Sequence, residues 1–287
     1  MLGKLLKHDL RAVWRGWWPI LPVMPIVSTV IAIMFRYLII ESSKTTPFVF
    51  GMIMAVVVII GAYFVLMLTP VYTMLSCFIR FYVNLYTDEG YLTFTLPAKR
   101  KDILFSKTLT TVIFMSANTA ALFLSVLWII AVAIPTAEGQ FLINFEPWRQ
   151  LAEFLVKVII PGFKVWFFVY IIEIVALVAL GIFYSTALIQ FCFTLGATVV
   201  KKAKLLVGIL VYVAVTNIIS SMGQTVYYFS MFSTMSGITV IVGGMSETAI
   251  IVAVAALLLL LNIACALFGC LFYYLTRNVL ERKLNLA

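Results

Sequence analysis

Charged residues are scarce in this chain. Only 11% of its 287 residues are Asp, Glu, Lys or Arg and 64% are hydrophobic, whereas a globular domain in water carries about 25% charged residues. Even a large soluble domain keeps much of its surface in water, so a soluble fold has no place for this much apolar surface. The mean hydropathy of +1.14 therefore predicts an integral membrane protein with lipid as the solvent for most of its surface.

Residues and motifs that common enzymes need are also missing. Histidine occurs once, at His8, which excludes a histidine base inside the membrane. The H-E-x-x-H and G-x-S-x-G signatures of metalloproteases and serine hydrolases do not occur. The G-x-x-x-x-G-K-[ST] phosphate loop is absent as well, so we expect no ATP site of the usual kind in this chain. These absences disfavour an intramembrane enzyme, and energy must come from a partner or an ion gradient.

Cysteine is rare and has no metal-binding pattern. The four cysteines, Cys77, Cys192, Cys265 and Cys270, lie within apolar segments or at their edges. Cys265 and Cys270 are five positions apart, which places them on different faces of a helix. We interpret all four as small apolar side chains and predict no metal site.

Six segments are long and apolar enough to cross a bilayer, since a helical span needs about 20 apolar residues. They cover residues 17–40, 49–79, 109–134, 160–190, 205–222 and 248–275. The segments at 49–79 and 160–190 exceed one bilayer thickness, so their helices must tilt or project into water. Without an internal repeat, the simplest prediction is an all-α fold in which residues 1–287 form a single membrane domain of six transmembrane helices.

The basic residues lie in short clusters between the apolar segments. Because Lys and Arg collect on the cytoplasmic side of membrane proteins, the net charge of +9 indicates topology rather than nucleic-acid binding. With a cytoplasmic N-terminus, the inner side holds 15 of the 20 Lys and Arg residues and the outer side holds 5. We therefore predict a multi-pass protein with both termini in the cytoplasm.

Residues 1–16 precede the first apolar segment and repeat at helical spacing. The apolar positions are Leu2, Leu5, Leu6, Leu10, Val13 and Trp14, and the basic positions on the other face are Lys4, Lys7, Arg11 and Arg15. This pattern predicts an amphipathic helix that lies in the cytoplasmic interface and contacts membrane lipid. A solvated basic leader is the alternative.

Residues 220–247 differ in composition from the loops and from the spans. They mix Ser, Gly, Met and aromatic residues, with Glu247 as the single charge. The segment is too apolar for a solvated loop and too interrupted for a full span. It predicts a re-entrant hairpin in the outer leaflet before the last span, with protein shielding its backbone.

The segment between the second and third spans, residues 80–108, is predicted to face the cytoplasm. Asp88 and Glu89 followed by Gly90 form an acidic break, and a basic cluster follows Pro97. Between them lie the apolar residues Tyr91, Leu92, Phe94 and Leu96. A single chain rarely exposes such a patch to water without a partner. The alternatives are docking of a partner protein and packing of the loop on the cytoplasmic ends of the chain's own helices.

The run E-G-Y-L-T-F-T-L-P from Glu89 to Pro97, followed by basic residues and then I-L-F-S-K, resembles a known loop. It is similar to the loop of permease subunits in the type-2 ATP-binding-cassette (ABC) exporters. The order of an interfacial helix, six spans, this loop after the second span and a broken hairpin before the sixth is also similar. The resemblance in order extends over nearly the whole chain.

The resemblance implies that two permease subunits, identical or different, pair in the cell membrane of a bacterium. Two cytosolic ATP-binding subunits dock beneath them and hold ATP and magnesium, while this chain binds no cofactor. The residues implied to contact the ATP-binding subunit are Asp88, Glu89, Gly90, Tyr91, Leu92, Thr95, Leu96 and Pro97. Lys99, Arg100 and Lys101 are implied to flank that contact, at the lipid headgroups or on the ATPase.

Glu173 is the one acid deep in a predicted span, where a charge costs about 2.5–3.5 kcal/mol on insertion scales. Trp166, Tyr170 and Tyr184 recur near it at helical spacing, so this face should point into the bundle or a cavity. Glu173 either marks the transport path or a subunit interface, or fixes helix packing through a hydrogen bond. The embedded Asn118, Asn217 and Asn262 are predicted to join helices by hydrogen bonds.

Two transport functions follow from these patterns. The first is the membrane subunit of an ATP-driven exporter. Its cargo is predicted to be hydrophobic or amphipathic, an amphipathic peptide for example, because few charges line the spans. The second is an ion-coupled secondary transporter that uses Glu173, although such transporters have sites in matched halves and the chain has no matching second acid.

Overall fold

The computed structural model describes residues 2–44, 46, 48–87, 99–133, 149, 153, 165–199, 205–221, 224 and 247–282. The regular structure within these ranges is helical, without strands. Seven helices are delimited: α1 Leu2–Trp17, α2 Ile20–Ser42, α3 Val49–Tyr86, α4 Arg100–Ala133, α5 Val165–Val199, α6 Leu205–Ser221 and α7 Glu247–Arg282. The predicted all-α class is therefore confirmed for the described part of the chain.

Five of these helices, α2, α3, α4, α5 and α7, are long and apolar enough to cross a membrane. In their most apolar stretches of 18 residues, at most 22% of the residues are buried inside the protein. Ile172, Phe64 and Leu260 are 68%, 64% and 65% exposed, respectively. Because side chains of this kind are stable in lipid and not in water, the chain is a polytopic membrane protein.

The predicted spans match helices, with longer ends. The segment predicted at 49–79 continues as α3 to Tyr86, and the one at 109–134 begins nine residues earlier in α4, at Arg100. The helices extend past the apolar runs because polar ends remain helical once they leave the hydrocarbon. The fifth predicted span, 205–222, corresponds to α6, whose 17 residues extend only about 26 Å. The predicted re-entrant segment at 220–247 lies almost wholly outside the described residues.

The chain divides into two compact units. The amino-terminal unit comprises Gly3–Ile79 and Leu109–Lys164, and the loop unit comprises Arg80–Thr108 and Val165–Ala287 together with Met1–Leu2. The boundaries fall inside α3 and α4, so both helices contribute to both units.

In the amino-terminal unit, the predicted amphipathic helix is present as α1. Val13 and Trp17 are buried with Cys77 and Phe114, and the Trp17 and Phe114 rings meet edge to face with centroids 5.5 Å apart. The basic residues Lys4, Lys7, Arg11 and Arg15 are exposed. Trp14, predicted on the apolar face, is 45% exposed, and the buried face is completed by Trp17 at the next turn.

In the loop unit, α5 and α7 pack along each other. Three pairs of aromatic rings contact each other between the two helices: Phe183 with Tyr273, Tyr184 with Phe272 and Phe191 with Phe272, with centroids 6.5, 6.0 and 5.5 Å apart. Gly269 is buried at this contact, and a Cβ at that position would lie 2.8 Å from the Phe183 ring. The helices therefore approach closely because α7 has no side chain there.

Candidate functional site

The predicted ATPase contact from Asp88 to Pro97 lies outside the described residues, which resume at Lys99. The structure describes the two borders of this segment, the end of α3 and the start of α4. Both belong to the loop unit. The contacts of these borders show which helices are bonded to the two ends of the segment.

The α3 border is bonded to α5 by a buried hydrogen bond. The hydroxyls of Tyr86 and Thr194 are 2.6 Å apart, and the Thr194 side chain also donates to the Gln190 backbone oxygen at 2.7 Å. A threonine hydroxyl has one proton, so Tyr86 is the donor to Thr194. Tyr86 and Thr194 are 5% and 0% exposed, which shields this bond from competition.

The α4 border is bonded to the same stretch of α5. The Thr108 hydroxyl lies 2.8 Å from the side-chain Oε1 of Gln190 and 2.9 Å from the Leu104 backbone oxygen, so its one proton is shared between two acceptors. Thr108 and Gln190 are each 3% exposed. Gln190 and Thr194 are four positions apart and share a helix face. One turn of α5 therefore holds both ends of the segment that links α3 to α4.

Arg100 ties the start of α4 to the end of α7. Its Nη1 donates to the backbone oxygens of Leu280 and Glu281 at 3.0 and 3.4 Å. The last carbonyls of a helix have no partner within the helix and carry partial negative charge, so a guanidinium there is favourable. We call Tyr86, Arg100, Thr108, Gln190, Thr194 and Leu280 the loop base.

The three predicted flanking cations differ in their contacts. Arg100 makes the bond to α7, whereas Lys99 and Lys101 are exposed beside it. An exposed lysine at this position is available to lipid headgroups or to a docked protein. Sequence reasoning missed Tyr86, Thr108, Gln190 and Thr194. The signal for Gln190 and Thr194 was a pair of hydrogen-bonding side chains one turn apart in a mainly apolar helix.

Glu173 lies on α5 where α5 contacts Asn262 of α7. The Asn262 amide donates to the Glu173 backbone oxygen at 3.2 Å and to the Leu258 backbone oxygen at 3.1 Å. The Glu173 Oε2 and Asn262 Oδ1 atoms are buried and have no hydrogen-bond partner among the described residues. This contact therefore carries two unsatisfied acceptors within a span.

The other predicted residues of this helix face differ in how much of each residue is exposed. Tyr170 is half-buried and Trp166 is 37% exposed. Tyr184 is half-buried and packs its ring on Phe272 of α7. The structure thus brings Glu173 and Tyr184 to the same helix pair, with Tyr184 three turns nearer to the loop base.

The predicted asparagine bonds form in two of three cases. Asn262 joins α7 to α5, and the Asn118 side-chain oxygen accepts from Thr73 at 3.3 Å, which joins α4 to α3. Asn217 instead donates to the Val213 backbone oxygen of its own helix at 2.7 Å. Among the described residues, only the first two asparagines join helices.

A cleft of about 310 Å³ opens between α2 and α4 in the amino-terminal unit. Leu21, Met24, Pro25, Ser28, Ala121, Leu124, Ser125 and Trp128 line it. The Ser28 and Ser125 hydroxyls donate to backbone oxygens of their own helices, so the cleft presents mainly apolar surface. Such a cleft fits an acyl chain or another apolar group.

Comparison with known proteins gives no relative: no family model, no curated protein and no solved structure matches this chain significantly. The described residues also contain no group of three or more His, Cys, Asp or Glu side chains placed to hold a metal ion. The features that bear on function are therefore the contacts of the loop base and the sequence motif that contains Asp88–Pro97.

Proposed function

We propose that this chain is the membrane permease subunit of an ATP-driven exporter. Separate cytosolic ATP-binding subunits dock on the segment between α3 and α4. The observation that carries the proposal is the bonding of both segment borders to one turn of α5, through Thr194 and Gln190. A docked motor that displaces the segment would therefore act on α5 directly.

The loop base is suited to transmitting displacement rather than absorbing it. Its two bonds to α5 are buried and short, and protein interiors are close-packed and resist compression. Leu280 within it, and Ile103 and Leu104 beside it, are each at most 1% exposed. The segment, α5 and the end of α7 would then move as one body within the loop unit.

The remaining parts of the proposal come from the sequence motif. The contact surface for the ATP-binding subunit is Asp88, Glu89, Gly90, Tyr91, Leu92, Thr95, Leu96 and Pro97. ATP and magnesium reside on that subunit, and a second permease chain pairs with this one in the cell membrane. The cargo is hydrophobic or amphipathic, with an amphipathic peptide as one candidate.

Affinity purification of the native chain tests the proposal. We expect an ATP-binding subunit to co-purify, and we expect Asp88→Ala with Glu89→Ala to reduce its recovery at least five-fold. Arg149→Ala with Glu153→Ala, an exposed charged pair on the predicted outer side, is the matched control. Recovery of the chain without any ATPase, or undiminished recovery with the acidic pair removed, would contradict the proposal.

Arg100→Ala separates docking from transmission. We expect the variant to retain the co-purified ATPase but to lose most transport, because the bond from α4 to the end of α7 is gone. ATP hydrolysis and cargo export are measured on the same reconstituted sample, with Lys101→Ala as the exposed control. Equal export by the Arg100 variant and the control would remove Arg100 from the transmission path.

An ion-coupled secondary transporter is the second candidate, favoured by the unsatisfied Oε2 of Glu173 in α5. It predicts that export continues after ATP depletion and stops when the ion gradient is collapsed. The exporter proposal predicts the reverse. Transport by vesicles with each energy source removed in turn decides between them.

A further inference from the structure

We infer that Glu173 and Asn262 form an acceptor site for the ammonium group of an amphiphilic cargo molecule. This inference deepens the proposed function and rests on it where it calls the bound molecule a cargo. The binding site itself is argued from contacts within the loop unit alone.

The orientation of the Asn262 amide is determined by its bonds. Its Nδ2 carries two protons, and these go to the backbone oxygens of Glu173 and Leu258. Rotating the amide would turn its oxygen toward two carbonyl oxygens, which is unfavourable. Oδ1 is therefore the free end of the side chain and accepts a bond from a further donor.

The second acceptor is the Glu173 carboxyl. Its Oε2 is buried without a hydrogen-bond partner among the described residues, and its backbone oxygen already binds Asn262. Buried acceptors are normally hydrogen-bonded, because leaving one unmade is costly. Two such atoms at one helix contact point to a ligand that supplies donors to both.

An ammonium group meets this requirement. It carries three N–H donors and a positive charge, which suits one glutamate carboxyl and one amide oxygen. In the described parts of the five spans, every other acid lies within three residues of a helix end, so Glu173 is the acidic position at depth there. The surrounding spans are apolar, so the rest of the ligand must be apolar too.

The site is connected to the loop base by the same two helices. Glu173 and Gln190 lie on α5, about 25 Å apart along its axis, and Asn262 and Leu280 lie on α7 at about 27 Å. Between them, the Tyr184 and Phe272 rings pack together. A shift of α5 against α7 at the loop base would therefore change the Glu173–Asn262 contact.

The test is binding of ω-(dansylamido)dodecylamine, which has a free amine at the end opposite the dansyl group, and of its N-acetylated form to the full-length chain in nanodiscs of zwitterionic lipid. Energy transfer from tryptophan to dansyl reports binding, with empty nanodiscs as the background. We expect the wild-type chain to bind the amine at least ten-fold more tightly than the acetylated form. Equal affinity for both forms would overturn the inference.

Substitutions at Glu173 and Asn262 test whether these two residues bind the amine. We expect Glu173→Gln to abolish the preference for the amine and Asn262→Ala to weaken amine binding three-fold or more. Asn217→Ala is the matched control, because Asn217 bonds within its own exposed helix. Should Glu173→Gln fail to insert, the wild-type preference and the Asn262→Ala and Asn217→Ala pair decide the result. Undiminished amine affinity in Asn262→Ala would overturn the site.

The outcome is independent of the ATPase. Binding is measured on the isolated permease chain, so absence of a co-purified ATP-binding subunit contradicts the exporter proposal and leaves the amine site intact. Conversely, loss of amine selectivity with normal ATPase docking contradicts the site alone. In that case Glu173 has only a packing role between α5 and α7.

Discussion

At the residue scale, the Thr73 hydroxyl in the amino-terminal unit lies within hydrogen-bonding distance of three polar groups. Its hydroxyl accepts from the Trp17 indole at 3.2 Å and lies 2.9 Å from the Thr69 backbone oxygen and 3.3 Å from Asn118 Oδ1. Thr73 and Asn118 are both fully buried. One hydroxyl therefore connects α1, α3 and α4.

Thr73→Val keeps the shape of the side chain and removes this hydroxyl. Trp17 Nε1 then loses its partner in a buried setting, which costs about 1–3 kcal/mol. We expect a lower midpoint of thermal unfolding in detergent. Thr119→Val is the control, since the Thr119 hydroxyl bonds only to the Met115 backbone oxygen of its own helix. Equal losses in both variants would contradict a network that joins helices.

At the scale of elements, the contact between α5 and α7 depends on small residues on one face of α7. Ala255, Asn262 and Gly269 follow each other at seven-residue spacing, and each is buried or half-buried. At Gly269 a Cβ would also lie 3.4 Å from the Tyr184 Cα. Because lipid removes the hydrophobic driving force between helices, their association depends on van der Waals packing and hydrogen bonds, and small residues allow the close approach that this packing needs.

Gly269→Val is expected to force α5 and α7 apart and to destabilise the chain by about 1–3 kcal/mol. Gly181→Val is the control, because a Cβ at Gly181 meets no atom within 4 Å. Unfolding in detergent compares the two variants, and hydrogen exchange of α7 locates the effect. Unchanged exchange in Gly269→Val would mean that the helices tolerate a side chain at this contact.

At the scale of the whole molecule, the charge distribution predicts the orientation in the membrane. Lys44, whose pKa is raised by its hydrogen bond to the Glu41 carboxylate, is predicted outside. Arg100 and Lys101 are predicted inside. The proposal of a cytosolic motor depends on this orientation, because ATP is available only on the inner side.

Cysteine labelling in intact cells tests the orientation. In a background without the four native cysteines, Ser43→Cys is expected to react with an impermeant maleimide from outside. Lys101→Cys is expected to react only after the cells are permeabilised. Ser43 and Lys101 are both exposed, so access decides the result. The reverse pattern would place the loop segment outside and remove the basis for ATPase docking.

The features that the sequence by itself determined are local ones. Long apolar runs must become helices in lipid, because every backbone group has to be satisfied within its own segment. The basic and apolar faces of α1 follow from the 3.6-residue period in the same way. These predictions needed no knowledge of neighbours, and the structure confirms the helices.

Only the tertiary structure decided which polar side chains meet. Tyr86 and Thr194 are 108 positions apart, and Arg100 and Leu280 are 180 apart. A lone polar residue in an apolar helix requires a partner, because lipid offers none. Its helical period, however, indicates only the face it occupies. The partner of each polar residue depends on which helices pack together. This packing is determined by the shapes of the side chains along whole helices, and at Gly269 by the absence of a side chain.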